Sequence, residues 1–246
     1  IPMTGILEVF PCKTGTSIYF GNYINNKLTV FNGFYPIEDG HIYEGFNRLL
    51  SLPEQTYNMV YWGTPVYEDP IYSSPSIVTP GLTIGADLSS LYLTLRKNIE
   101  EDTYNPVYDL VYAVEETDIT YEDLSASLKR VVAGLKVSVT TDDSSAFSPN
   151  ITNMEIRIGG IAEKLNYYTA EPENKNCQIR ISTFRRRKTD DQRNRYALPL
   201  GQQSETRTTD YPQRRYCTHL NKKYKYNPFR RYPTDIEYRS RRYHHR

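Results

Sequence analysis

The chain has 246 residues and a formal net charge of +1, but that near-neutral total hides a division near Lys175. Residues 1–176 carry 11 Lys and Arg against 23 Asp and Glu, whereas residues 177–246 carry 19 against 6. The length suits one large or two small domains. No apolar run approaches the ~20 residues of a membrane helix, and Cys12, Cys177 and Cys217 form neither a CxxC pair nor a zinc spacing, which argues against a disulfide framework.

The chain opens on Ile1 rather than Met, and IPMTGILEVF has no basic start, apolar stretch or cleavage site of a secretory signal. It reads as a fragment or processed product with any targeting signal outside it. From there, Pro, Gly, Asn and Asp clusters separate short apolar runs that predict strands at 5–10, 17–20, 27–34, 57–62, 76–79, 88–96 and 109–114. Asn25-Asn26 and Asp39-Gly40 supply turn chemistry where strands must reverse. Residues 43–52 suit a short helix or a loop. The acidic string 115–123 (EETDITYED) reads as a linker. A second strand series follows at 128–140 and 154–158, then a Gly159-Gly160 turn into 161–168. Lys136 and Ser138 alternate with Val137 and Val139, and Glu155 and Arg157 alternate with Met154, Ile156 and Ile158, the period of a strand with one wet and one buried face. The 23 Tyr suit strand-rich architecture.

Reactive chemistry is sparse in this body. Its single histidine, His41, sits beside Gly40 in a turn context and has no partners for a triad or a ligand set. Gly81-Leu82-Thr83-Ile84-Gly85 lacks the ending of a phosphate loop. Glu100-Glu101-Asp102 lacks the alternating carboxylates of a calcium loop. Asn150-Ile151-Thr152 is a glycosylation sequon of a kind common by chance. The expectation is no catalytic residue, no metal site, no cofactor and no small-molecule substrate.

The string LPEQTYNMVYWG (52–63) resembles the Pro-x-Gly-x-Tyr strand ending in Trp-Gly of minor fimbrial subunits of Bacteroides-type fimbriae, the FimB-like anchor and length-control lipoprotein family. Pro53, Tyr57, Val60, Trp62 and Gly63 match, and Gln55 stands where Gly is usual. The resemblance continues in GADLSSLYLTLRK (85–97), PVYDLVYA (106–113), LSASLKRVVAGLKVSV (124–139) and MEIRIGGIAEKLNYYTAEPENK (154–175). It implies an all-β fold of two tandem transthyretin-like or Ig-like β-sandwiches. It also implies a cell-surface structural protein whose partners are other fimbrial subunits, tethered to the outer membrane by an N-terminal lipid anchor not present in this chain. Assembly would proceed by β-strand addition. On that reading Tyr57, Val60, Trp62, Val137, Val139, Ile156 and Ile158 are core anchors, and Arg130 sits at a strand edge with its charge in water. A secreted carbohydrate- or peptide-binding sandwich is the first alternative.

The tail admits three readings. Basic residues interleave with aromatics in RRRKTDDQRNR (185–195), KYKYNPFRRYP (223–233) and RSRRYHHR (239–246), as in a nucleic-acid or anionic-surface arm. It could equally be a solvated extension without a partner. The third reading is a frameshift. Read one nucleotide later, codons for Tyr, His, Asn and Asp encode Ile, Met or Thr, and CGN arginine codons become GNN. Shifted, 196–218 permits MLFPSGNNPKLELLIILKDGTV and 239–246 permits VVGDIIT, both strand-like. Lys175-Asn176 can be encoded by a run of adenines, a natural slip site. The preferred expectation is therefore a first sandwich at 1–115, the first half of a second at 116–176, and a poorly ordered, non-native basic tail at 177–246. Nucleic acid is not expected as a partner.

Overall fold

Apolar residues recurring at every second position, punctuated by turn residues, make this chain a succession of strands. The computed structural model describes residues 2–31, 34–46, 49–65, 76–98, 102–141, 151–184, 195–197, 204–212, 222–224 and 234–240. Among them the strands are β1 (Gly5–Lys13), β2 (Asn22–Ile24), β3 (Lys27–Thr29), β4 (Phe34–Glu38), β5 (His41–Ile42), β6 (Thr56–Pro65), β7 (Ile77–Val78), β8 (Tyr92–Leu95), β9 (Val111–Asp118) and β10 (Lys129–Arg130). They continue with β11 (Ala133–Thr141), β12 (Ile151–Ile161), β13 (Lys164–Asn166), β14 (Pro172–Glu173), β15 (Cys177–Phe184), β16 (Arg195–Ala197), β17 (Ser204–Pro212), β18 (Lys222–Tyr224) and β19 (Thr234–Ser240). The class is all-β.

Two compact units emerge, and neither is a continuous stretch of chain. The first comprises Ile1–Leu95, Tyr108–Val132 and Lys164–Glu173; the second comprises Arg96–Val107, Ala133–Glu163 and Asn174–Arg246. The expected boundary at residue 115 is therefore not a single cut. The reason is long-range pairing: β13 lies antiparallel to β8, with Lys164 opposite Thr94 and Asn166 opposite Tyr92, which brings 164–173 into the first unit.

In the first unit an antiparallel sheet runs β10-β9-β6-β1-β4-β5, beside a second sheet β14-β13-β8-β7 and the hairpin β2-β3. Odd-numbered positions of β1 and β6 share a face: Val9 stands opposite Tyr61 and packs with Tyr57, Met59, Tyr35, Ile37, Phe31 and Ala113. Even-numbered positions face the other way and are buried too, including Phe10, Val60 and Trp62. With both faces covered, β6 reads as a near-continuous apolar run (TYNMVYWG) rather than a clean alternation. The two predicted turns are two-residue hairpins. Asn25 and Asn26 adopt φ of 49° and 59°, and Asp39 and Gly40 adopt 48° and 83°, the left-handed pair of a type I′ turn.

Several expected elements take other forms. Residues 17–20 contribute only the bridges Cys12–Tyr19 and Ile18–Asp87. The strand expected at 27–34 ends at Thr29 and resumes at Phe34. Leu88–Ser90 forms a 3-10 turn capped by Asp87, whose carboxylate accepts the Ser89 N–H and the Ser17 hydroxyl. The stretch 128–140 divides into β10 and β11. The supposed acidic linker is strand as far as Asp118, because β9 pairs along β6 from Gly63–Val111 to Thr56–Asp118. Gly159-Gly160 is not a turn either: β12 runs through it with a register shift between Ile158 and Ile161, and Gly160 has φ of 74°. A glycine pair can bend a strand as readily as reverse it.

In the second unit one sheet runs β15-β12-β17-β18 and another β16-β11-β19, with β19 parallel to β11. Ile156 and Ile158 on β12 face Ile181 and Ile179 on β15, and all four are buried. Of the stretch expected as a tail, Cys177, Ile179 and Ile181 are therefore buried on β12, and the side chains beyond Ile181 lie outside the described residues. Cys177, Ile179 and Ile181 keep the two-residue period despite the basic composition around them, and a sheet face responds to that period rather than to net charge.

Candidate functional site

In the first unit the sequence motif ending in Trp62-Gly63 is built into an aromatic cluster. Trp62 is 3% exposed. Its ring stacks on Tyr167 at 5.8 Å and 11° and meets Tyr112 at 4.9 Å. The indole Nε1–H donates to the Tyr167 carbonyl over 3.0 Å, so the only polar atom of the side chain is satisfied. Phe10 extends the cluster, lying 5.3 Å from Tyr167 and 6.4 Å from Tyr19. The Tyr112 hydroxyl donates to the Tyr168 carbonyl. Burial raises the hydroxyl pKa of Tyr112 and Tyr167, which keeps both neutral. Gly63 follows because nothing larger fits: a Cβ there would lie 2.7 Å from Val111 Cγ2 and 3.0 Å from Met3 Cε.

The other predicted anchors divide by what is described. Tyr57 and Val60 are 0% exposed, and Ile156 and Ile158 are 3% exposed. Tyr57 also donates its hydroxyl to the Pro53 carbonyl over 3.0 Å, tying the strand to the Pro that opens the motif. Val137 and Val139 lie in β11, and their side chains are outside the described residues. The predicted anchors therefore sit in two cores, Tyr57, Val60 and Trp62 in one unit and Ile156 and Ile158 in the other.

Electrostatic structure was less visible from the sequence. Arg130 forms a two-pronged pair with Asp109, Nε to Oδ1 at 2.8 Å and Nη2 to Oδ2 at 2.7 Å, so its charge is used as well as wetted. Glu155, expected on a wet face, is 1% exposed and is held by Arg157 and by Arg180 Nε at 2.6 Å. Burial pushes the Cys12 thiol up to about 12, so it is no nucleophile at neutral pH. Among the described residues no group of three or more His, Cys, Asp or Glu could hold a metal ion. No helix among them is long and apolar enough to cross a membrane.

Among the described residues the first unit presents its backbone at sheet edges, and its longest paired strands are β1 and β6. The edges of the six-stranded sheet are the two-residue strands β5 and β10, short and bearing His41, Lys129 and Arg130, a pattern that discourages uncontrolled pairing. The long strand is β1, which pairs with β6 from Gly5–Pro65 to Lys13–Tyr57 and with β4 from Gly5–Ile37 to Glu8–Phe34.

The model of the fimbrillin-A associated anchor proteins Mfa1 and Mfa2 matches residues 2–208. The chain belongs to this family. It is a fimbrial protein, structural in kind, that acts at the cell surface with other fimbrial subunits. Two solved structures share the fold. A Bacteroides thetaiotaomicron protein provisionally described as polysaccharide-binding is 14% identical, with a TM-score of 0.54 over 85% of this chain and 69% of that one. A Bacteroides ovatus protein provisionally described as an adhesin is 11% identical, with a TM-score of 0.52 over 85% of this chain and 66% of that one. No curated protein matches the chain.

Within the anchor-protein family frame, the aromatic cluster is a fastening of the core. Sequence reasoning found Trp62 and Tyr57 but not Phe10, Tyr19, Tyr112 or Tyr167. Tyr167 lies 105 positions from Trp62, and an NYYT string shows no local sign of such a partner.

Proposed function

We propose that this chain is a minor fimbrial subunit or anchor that joins its neighbours by β-strand addition. It would be held at the outer membrane through a lipid-bearing N-terminal segment outside these 246 residues. Its role is structural, without catalysis. The observation that carries this reading is the family match over residues 2–208. The arrangement of β1 supports the mechanism. β1 is bonded to both β6 and β4 through its main chain, the kind of contact by which strand addition gains affinity, while alternate side chains set register.

The test is co-assembly. The chain is mixed with fimbrial shaft subunits of a Bacteroides host, and fibres are measured by electron microscopy and antibody labelling. Incorporation at one fibre end, lost when β1 is deleted, is the expected result. A chain that stays unincorporated, or that incorporates equally well without β1, removes the strand-addition reading.

A further inference from the structure

At one margin of the six-stranded sheet, β9 is only partly covered. β10 pairs with it at Lys129–Tyr112 and Arg130–Val111 alone, so beyond Tyr112 the margin of the sheet is β9 itself. Among the described residues no strand lies along 113–118 on that side. Antiparallel pairing turns the main-chain groups of a strand alternately to its two neighbours. Ile119, which continues the β6 register, donates its N–H to the Gln55 carbonyl, whereas the Leu110 carbonyl accepts from Val131 on the β10 side. Odd positions of β9 therefore bond inward to β6, and the N–H and C=O of Val114 and Glu116 point out of the sheet.

The returning chain does not take up these groups. It turns after Asp118, with the N–H groups of Tyr121 and Glu122 on the Asp118 carbonyl, and comes back along the face that carries Ala113 and Glu115. Leu128 packs against the core on that face, and the Ser127 N–H reaches the Glu115 side chain rather than the β9 main chain. On the other face Val114 is 40% exposed and Glu116 is exposed.

We propose that this margin receives an extended strand from a partner subunit, with an apolar residue beside Val114 and a lysine or arginine beside Glu116. It deepens, and rests on, the strand-addition reading of the chain, as the place where such a strand is accepted. The added strand lies antiparallel, like every other pair in this sheet. Main-chain bonds at Val114 and Glu116 supply affinity that any extended sequence could use, and side chains select among sequences. Glu115, Glu116 and Asp118 blunt the edge toward neutral and acidic strands, whereas opposite charges across a strand pair stabilise it. A second copy of β9 is a poor occupant for the same reason. Any two-fold pairing centred on this stretch sets Glu115 or Glu116 against a carboxylate of the copy.

The probe is a capped peptide in which lysine and valine alternate with threonine, labelled for fluorescence anisotropy and titrated into the full chain. Binding is expected, with slowed hydrogen exchange at the Val114 and Glu116 amides. Glu116→Lys should weaken it by about tenfold, and that variant should prefer the peptide with glutamate in place of lysine. A peptide N-methylated at its lysines and valines keeps its charge but cannot donate to β9, and should not bind. Absence of binding, equal binding of the N-methylated peptide, or sedimentation showing that the chain dimerises through this edge overturns the inference. β1 is not part of the edge, so the two readings separate. A chain that enters fibres through β1 yet ignores the peptide overturns this site alone; one that binds the peptide but never enters fibres overturns the co-assembly reading alone.

Discussion

Glu8 shows how a single residue registers its position in a double-sided sheet. It sits on β1 opposite Trp62 and Phe34, on a face that Trp62 and Phe10 make apolar. Burial raises its carboxyl above the ordinary 4.5, because removing water disfavours the charged form. The folded chain therefore holds this proton more tightly than the unfolded chain does. Its contribution to stability is most favourable below 4.5 and declines as pH rises through the folded value. Glu8→Gln should raise the thermal midpoint at pH 7, and the difference should vanish near pH 4; a midpoint unchanged at pH 7 would sink this account. Trp62 behaves oppositely, since its burial and its bond to the Tyr167 carbonyl both favour folding. Trp62→Ala should cost about 3–5 kcal/mol in denaturant unfolding, and a cost below about 1 kcal/mol would show that the cluster is not a core fastening.

Among the elements, β12 depends most on one backbone angle. Its register shifts between Ile158 and Ile161, and Gly160 holds φ of 74°. A residue with a Cβ is strained there, and the cost of a non-glycine in the left-handed region is about 1–2 kcal/mol. Gly160→Ala should lower the stability of the second unit by about that amount, read from hydrogen exchange of β12 and β15 amides. No change would mean that the bulge tolerates a side chain. The type I′ turns at Asn25-Asn26 and Asp39-Gly40 were legible because their chemistry is local: Asn, Asp and Gly are the residues that accept positive φ. The bulge was misread as a turn for the converse reason, since Gly-Gly permits both outcomes and only the partner strand selects between them.

For the whole molecule, the interleaved path through two units has a mechanical consequence. Residues 164–173 complete the sheet containing β8 while 151–163 and 174–184 build the other unit. Truncation at residue 115 should therefore not yield a stable fragment, because it removes β13, β14, part of β9, and the Tyr167 that stacks on Trp62. We expect a 1–115 fragment to show lost near-ultraviolet circular dichroism and rapid proteolysis. A cooperative thermal transition for that fragment would contradict this.

What the sequence determined by itself is what local chemistry can encode: strand-rich class, the primed turns, the burial of Tyr57, Val60 and Trp62 in an unbroken apolar run, and the family resemblance carried by the ordered motifs. Strand pairing over long separations was decided only by the tertiary structure. It set the Trp62–Tyr167 bond, the placement of β13 beside β8, the burial of Glu155 between two arginines, and the docking of β15 past the charge break. The physical reason is that period and turn residues specify which face a strand presents, whereas its partner is chosen by shape, register and hydrogen bonding across the whole sheet.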